Sequence, residues 1–173
     1  MPQPSVIQVH GADFMRALAE KAAAVPRRRQ SHCLHPSQDA AVHRILNAMQ
    51  PDSYVQPHAH SEPTKDETVV VLQGRMGLLE FDAQGTVLAR FILGPGDVVT
   101  IPAGVIHGWC CLEKDSVLFE AKAGPYAKPT GAECAAFAPA EGEPGVAAAL
   151  ARLVTLATAP ESPVGERFDP PKA

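Results

Sequence analysis

The sequence predicts an all-β fold in which short antiparallel strands close into a single barrel. Segments rich in Val, Ile, Leu and Thr recur through the middle of the chain. Turn residues separate them about every eight to twelve residues, as in sandwiches and barrels. Seventeen Pro and thirteen Gly among the 173 residues supply many such turns. No stretch between the segments is long enough for the crossover helix that a parallel sheet requires, so the strands are expected to be antiparallel.

The predicted strands end at turn sequences such as Gly94-Pro95-Gly96 and Pro102-Ala103-Gly104. Alternating or continuous apolar residues define eight of them, at residues 42–49, 53–58, 67–73, 76–82, 87–93, 97–101, 106–112 and 116–122. The barrel is therefore assigned to residues 41–125, after a helix and lead-in segment at residues 1–40 and before a C-terminal extension at residues 126–173.

Two short helices are predicted outside the barrel. Over residues 12–24, Phe14 and Leu18 are spaced to share one helix face, and Asp13 is a candidate N-cap. Residues 145–158 form the second predicted helix. The proline-rich tail from Ala159 is expected to be poorly ordered.

Composition excludes several classes of partner. The formal net charge of −4 argues against a broad phosphate-binding surface, and Arg27-Arg28-Arg29 has no interleaved aromatic residues, so we interpret it as a solvated loop. The N-terminus lacks the apolar core of a signal peptide, and no run is long enough to span a bilayer. The four cysteines form no CxxC pair. We expect a cytoplasmic protein with reduced thiols that binds neither nucleic acid nor membrane.

Three histidines and one glutamate form the pattern that carries chemistry. His58 and His60 are two residues apart, so on a strand their imidazoles point to the same face. Glu67 begins the next apolar run, and His107 follows a tight Pro-Ala-Gly turn. Three neutral nitrogens and one carboxylate suit one divalent transition-metal ion, such as Fe, Mn, Ni, Co or Zn. The donor set does not choose among these metals.

These segments resemble the two motifs of the cupin family, G(X)5HXH(X)3–4E(X)6G and G(X)5PXG(X)2H(X)3N. The second motif fits from Gly96 through His107, and the end of the first fits from Glu67 to Gly74. There are three departures from the pattern. Asp52 replaces the first glycine, Cys111 replaces the final asparagine, and six residues separate His60 from Glu67. Within that longer gap Glu62 and Asp66 are alternative carboxylates, but Asp66 faces away from Glu67 on an extended strand, and Glu67 is retained as the ligand.

A wider resemblance, over roughly residues 28 to 142, is to WbuC-type cupin fold metalloproteins. It rests on five stretches, at residues 34–36, 42–51, 57–67, 120–126 and 137–142. The resemblance implies a double-stranded β-helix, or jelly-roll barrel, with a bound metal ion. It also implies an association with surface polysaccharides, but no particular reaction.

Several further side chains are candidates to line the cavity around the metal. Each lies an even number of residues from a predicted ligand, and so on the same face of the strand, or follows a nearby turn. They are Tyr54, Gln56, Trp109, Cys111 and Tyr126. For Trp109 and Cys111, plain core packing is the alternative. Weaker candidates for binding an anionic or sugar ligand are His35, Arg44, Asn47, Lys65 and Lys122.

Three functions are compatible with such a site. The first is an enzyme of isomerase, lyase or dioxygenase type acting on a small polar substrate, because an open metal position polarises carbonyls or activates water. The second is a non-catalytic metal-dependent binder or sensor, and the third is a purely structural ion. Val70 and Leu72 alternate with inward-facing residues, so their outer face is expected to be covered in a homodimer.

Overall fold

The computed structural model describes residues 7–60, 65–127, 131, 133–160 and 163–167. Over this part of the chain it contains eight strands between two helices. In chain order these are α1 (Ala12–Ala24), β1 (Arg29–Cys33), β2 (Val42–Met49), β3 (Glu67–Gln73), β4 (Met76–Phe81), β5 (Val87–Leu93), β6 (Val98–Ile101), β7 (Ile106–Cys111), β8 (Ser116–Ala123) and α2 (Val146–Thr158). Neither described helix is long and apolar enough to cross a membrane.

Two antiparallel sheets face each other. The first has five strands in the order β1-β2-β8-β3-β6, and the second has three in the order β5-β4-β7. Because side chains alternate along each strand, each sheet presents one set of residues to the interior. Met49, Val69 and Leu118 from the first sheet pack against Leu78 and Trp109 from the second. This interior layer confirms the predicted all-β class.

Each helix covers the outer face of one sheet. Leu18 of α1 packs in a cluster with Leu46 of β2, and Leu153 of α2 packs with Leu79 of β4. Gly77 of β4 lies directly under α2: a Cβ at this position would be 2.8 Å from the Ala157 Cβ. The protein therefore has four layers, with the two sheets inside and a helix on each side.

The strand prediction is wrong at two places. Residues 53–58 form no regular strand, and only His58 makes isolated bridges there. Strand β1 was not predicted, because its sequence lacks an apolar alternation: its five residues are all polar or charged except Cys33. It lies at the edge of the five-stranded sheet and pairs with β2.

The helices occur where the sequence predicts them, with one local difference. Gly11 is the N-cap of α1, and Asp13 lies in the first turn without making a capping hydrogen bond. In the tail, Val164 pairs with Arg90 of β5, so residues 163–167 are docked on a strand rather than poorly ordered. The rest of the predicted tail, residues 161–162 and 168–173, lies outside the described residues. The domain boundaries at residues 40 and 125 stay predictions.

Candidate metal centre

Backbone hydrogen bonds hold the predicted histidine segments together. The His58 N–H donates to the His107 carbonyl, and the His107 N–H donates to the His58 carbonyl, both at 2.9 Å. Residues paired in this way in an antiparallel ladder place their side chains on the same face. The Gly104 N–H donates to the His60 carbonyl at 2.8 Å, which ties the third histidine to the Pro-Ala-Gly turn before β7.

The four predicted ligands converge. One nitrogen from each of His58, His60 and His107 lies within 4.8 Å of the others. Glu67, at the start of β3, reaches the same place from the opposite sheet: its Oε1 is 2.7 Å from His60 Nε2, and its Oε2 is 3.6 Å from His107 Nε2. Side chains that are up to 49 positions apart in the sequence therefore meet at one point inside the sandwich.

Two of the imidazoles are held in one tautomer. Nδ1 of His58 is 3.0 Å from the Gln56 carbonyl oxygen, and Nδ1 of His107 is 3.0 Å from the Val105 carbonyl oxygen. A carbonyl only accepts hydrogen bonds, so each Nδ1 carries the proton. Each Nε2 then has a free lone pair, the form in which histidine binds a metal.

The Nε2 atoms of His60 and His107 are buried without a hydrogen-bond partner among the described residues. The Glu67 Oε1 atom that lies 2.7 Å from His60 Nε2 is itself a predicted ligand of the same ion. A buried polar atom with no partner costs about 1–3 kcal/mol. Such an atom needs a specific reason, and a cation that accepts both lone pairs would provide it. The residues present therefore fit a metal ion.

The ionisation states of these side chains also suit metal binding. Burial lowers the pKa of His58 to about 4 and also lowers the pKa of His107, so both imidazoles are neutral near pH 7. Burial by itself would raise the pKa of Glu67, but the contacts with His60 and Lys122 outweigh it and hold this pKa well below its usual range. The centre thus offers neutral nitrogens and an ionised carboxylate.

A chain of hydrogen bonds extends from Glu67 across the five-stranded sheet. The Lys122 Nζ donates to Glu67 Oε1 at 2.8 Å and lies 2.7 Å from Glu120 Oε1. The Asn47 amide donates to Glu120 Oε2 at 2.8 Å, and the Ser31 hydroxyl donates to Asn47 Oδ1 at 2.5 Å. Burial would lower the pKa of Lys122, but the two carboxylates raise it, so the ammonium keeps its charge.

A cavity of about 200 Å³ opens beside the convergence point. Trp109 lines it, as predicted. Its other walls combine site residues, polar residues from β1, β2 and β8, and apolar residues, namely Arg29, Ser31, Asn47, Met49, Val55, His58, Glu67, Val69, Leu118, Glu120 and Lys122. Of the weaker candidates, Asn47 and Lys122 belong to this wall, whereas Arg29, Ser31 and Glu120 were missed.

The structure places Tyr54 and Gln56 away from this cavity. The Tyr54 hydroxyl donates to the Pro139 carbonyl at 2.8 Å, and this ring lines a separate cavity next to α2. The Gln56 amide donates to the Ala138 carbonyl at 2.9 Å. The parity argument fails here because residues 53–58 are not a regular strand. Val55 faces the cavity instead.

Cys111 and Tyr126 also lie outside the main cavity. The Cys111 thiol is buried in the core and donates to the Glu113 carbonyl at 2.9 Å; burial raises its pKa, which keeps it a protonated thiol. Tyr126 is exposed and lines a cavity of about 50 Å³ together with His60, Lys65 and Lys122.

The remaining candidates take structural positions. His35 is buried and stacks on His43, with ring centroids 4.1 Å apart. The exposed Arg44 donates to the Leu34 carbonyl at 3.2 Å. Asp66 is exposed, while Glu67 is buried, so the preference for Glu67 over Asp66 agrees with the structure. Glu62 lies outside the described residues.

Parts of the chain match known sequences. Residues 11–93 match the family model described as "Domain of unknown function (DUF6016)", somewhat less than half of the chain. A segment of 60 residues is 40% identical to germin-like protein subfamily T member 3 of Arabidopsis thaliana, and covers 35% of this chain and 25% of that protein. The chain thus spans about a quarter of the length of this curated relative.

Several solved structures are similar to this protein in fold. Oxalate oxidase in complex with the substrate analogue glycolate is similar with a TM-score of 0.50 and 16% identity, over 61% of this chain and 56% of that one. KdgF from Halomonas sp. has a TM-score of 0.46 and 22% identity, over 58% and 81% of the two chains. A cupin superfamily protein from Desulfitobacterium hafniense has a TM-score of 0.46 and 20% identity, over 59% and 85%. The protein has the cupin fold.

Proposed function

We propose that His58, His60, Glu67 and His107 bind one divalent metal ion, and that the protein is a metal-dependent enzyme acting on a small polar molecule. The observation that carries the proposal is the pair of buried Nε2 atoms, on His60 and His107, that lack a hydrogen-bond partner among the described residues. A purely structural histidine cluster would satisfy these atoms internally.

The chain's own residues prepare the site for such an ion. The Gln56 and Val105 carbonyls orient His58 and His107, and Lys122 holds the Glu67 carboxylate in place. Four protein ligands on an octahedral ion leave about two positions open. When bound, the ion would supply Lewis-acid chemistry, polarising a carbonyl or activating water. The adjoining cavity of about 200 Å³ gives a small substrate access to that position.

The proposal extends to the family, the substrate class and the cellular location. We assign the protein to the WbuC-type cupins, with a sugar or a keto or carboxy compound of polysaccharide metabolism as substrate. The polar wall of Asn47, Glu120 and Lys122 supports it, because hydroxyl groups need such donors and acceptors. A cytoplasmic location also remains a proposal, in keeping with four free cysteines. A non-catalytic binder is the alternative, expected to retain a ligand tightly without converting it.

The test of the metal site is elemental analysis of the purified protein with His107→Ala and Glu67→Gln. We expect about one metal ion per chain in the wild type and less than about half of that content in each variant, since each removes a ligand. His32→Ala is the matched control, because His32 contacts Phe14 and His10 outside the centre. Unchanged metal content in His107→Ala would refute the assignment.

A further inference from the structure

We propose that Arg29 binds the carboxylate of the substrate, so that the cavity selects small hydroxylated carboxylates over neutral polyols. The inference rests on the proposed function, since it names the substrate class of the same site. It concerns a residue of β1, a strand that lies outside both motifs of the resemblance.

Arg29 is placed to bind an anion. It lines the cavity together with His58 and Glu67, and its side chain is 17% exposed. One N–H of its guanidinium donates to the Tyr54 carbonyl at 2.6 Å, and another donates to Glu141 Oε2 at 2.7 Å. A guanidinium has five N–H donors, so three have no partner among the described residues. The Tyr54 contact fixes the group while leaving donors for a carboxylate.

The carboxylate of Glu141 is shared between two arginines, so it does not fully neutralise the charge of Arg29. The same carboxylate accepts two hydrogen bonds from Arg27, at 2.7 and 2.8 Å. Arg27 is mostly exposed and does not line the cavity. Two guanidinium groups therefore share one carboxylate, and Glu141 offsets only part of the charge of Arg29. Arg27 and Arg29 also form a matched pair for mutagenesis, because they have the same partner but face different surroundings.

The charges inside the cavity favour an anion once the metal is bound. Lys122 and Arg29 balance the carboxylates of Glu67 and Glu120. A divalent ion then adds two positive charges that no further side chain of this wall offsets. In a cavity with partly apolar walls, this excess attracts a negatively charged ligand more strongly than it would in water.

The stretch between Arg29 and Lys122 suits hydroxyl groups. Ser31, Asn47 and Glu120 form a hydrogen-bonded row along this wall, and such groups exchange partners readily with ligand hydroxyls. The volume of about 200 Å³ is below the range of about 300–1,000 Å³ typical of drug-sized ligands. A short hydroxy acid therefore fits, with its carboxylate at Arg29 and a hydroxyl or carbonyl oxygen directed towards the histidines.

The experiment compares ligands of equal length that differ in charge. Binding of glycerate against glycerol, and of gluconate against sorbitol, is measured by isothermal titration calorimetry on zinc-loaded wild type, Arg29→Met and Arg27→Met. We expect the wild type to prefer one or both acids by about tenfold or more, as a charge-assisted bidentate contact provides. Arg29→Met should abolish the preference and retain its zinc. Arg27→Met should also retain its zinc and keep a preference, reduced in size because Glu141 is then left to Arg29 alone.

Each other outcome counts against the inference. Equal affinities for acid and polyol in the wild type overturn it, and so does an unchanged preference in Arg29→Met. Loss of zinc from the wild type would instead defeat the proposed function, and the acid-to-polyol ratio is then measured without metal. Should Arg29→Met fail to fold, Glu141→Gln decides: it removes the competing carboxylate, so gluconate or glycerate must bind more tightly than to the wild type.

Discussion

Folding changes the ionisation of His58 within the pH range where histidine titrates. Its pKa is about 4 in the folded protein, because burial disfavours the charged imidazole, against an ordinary value near 6.5. Between these two pH values the unfolded chain binds a proton that the folded chain does not. The free energy of unfolding therefore falls as the pH falls through this window, and the contribution is complete only above about pH 6.5.

We expect metal-stripped protein to lose up to about 3 kcal/mol of unfolding free energy between pH 7 and pH 4 through His58. His107, whose pKa is also lowered, adds a loss of the same sign. Urea unfolding at a series of pH values measures this loss of unfolding free energy. The unfolding free energy of His58→Gln should depend less steeply on pH, since position 58 then carries no group that titrates in this range. Equal slopes in the two proteins would contradict this account.

The convergence of the four candidate ligands could be predicted because their spacing and the neighbouring turn residues form a linear pattern in the sequence. The supporting residues could not. Arg29 and Glu120 enter the cavity only because β1 and β8 pair on either side of β2. The periodicity of apolar residues along the sequence does not determine the order of strands in a sheet. Tyr54 and Gln56 were placed in the cavity from the parity of a strand that does not form.

At the scale of elements, the contact between α2 and the three-stranded sheet depends on Gly77. A Cβ there would lie 2.6 Å from Cys110 Sγ and 2.8 Å from the Ala157 Cβ, both too close for ordinary packing. Gly77→Ala should therefore displace α2 and reduce the free energy of unfolding by about 1–3 kcal/mol. Urea denaturation measures the change.

Gly94→Ala is the control for this prediction. No atom lies within 4 Å of a Cβ built at Gly94, so its substitution should change stability by less than about 0.5 kcal/mol. If the two variants were equally stable, α2 would not be in tight contact with β4.

Strand boundaries within the barrel were predictable where apolar alternation and glycine turns coincide, as for β3 and β5. Residues 53–58 contain the strand-forming residues Tyr54 and Val55, yet Gln56 directs its amide to the C-terminal segment and Pro57 lacks a donor. β1 shows the reverse case. Its polar sequence gives no strand signal, and pairing with β2 supplies the conformation.

For the whole molecule, the sheet surface not covered by α1 bears on assembly. Leu72 of β3 and Val98 of β6 are 40% and 64% exposed, while α1 contacts β1, β2 and β8. We expect a homodimer through this face, with twice the 18.3 kDa mass of one chain. Light scattering after size exclusion measures the mass.

Val98→Lys should shift this equilibrium towards the monomer, because it places a charge within the apolar face. Leu88→Lys is the matched control: Leu88 is 50% exposed on β5, in the other sheet, and its substitution should leave the mass unchanged. A wild-type mass of one chain would contradict the dimer.

The pairing around His58 has a consequence for when the centre can form during synthesis. On one side His58 bonds to His107; on the other, the Ala59 N–H donates to the Glu133 carbonyl and the Ala135 N–H donates to the Pro57 carbonyl. A nascent chain released only as far as residue 132 would already contain all four candidate ligands. It would still lack one neighbour of the segment that bears His58, so we expect stable metal uptake to await emergence of residues 133–135 from the ribosome.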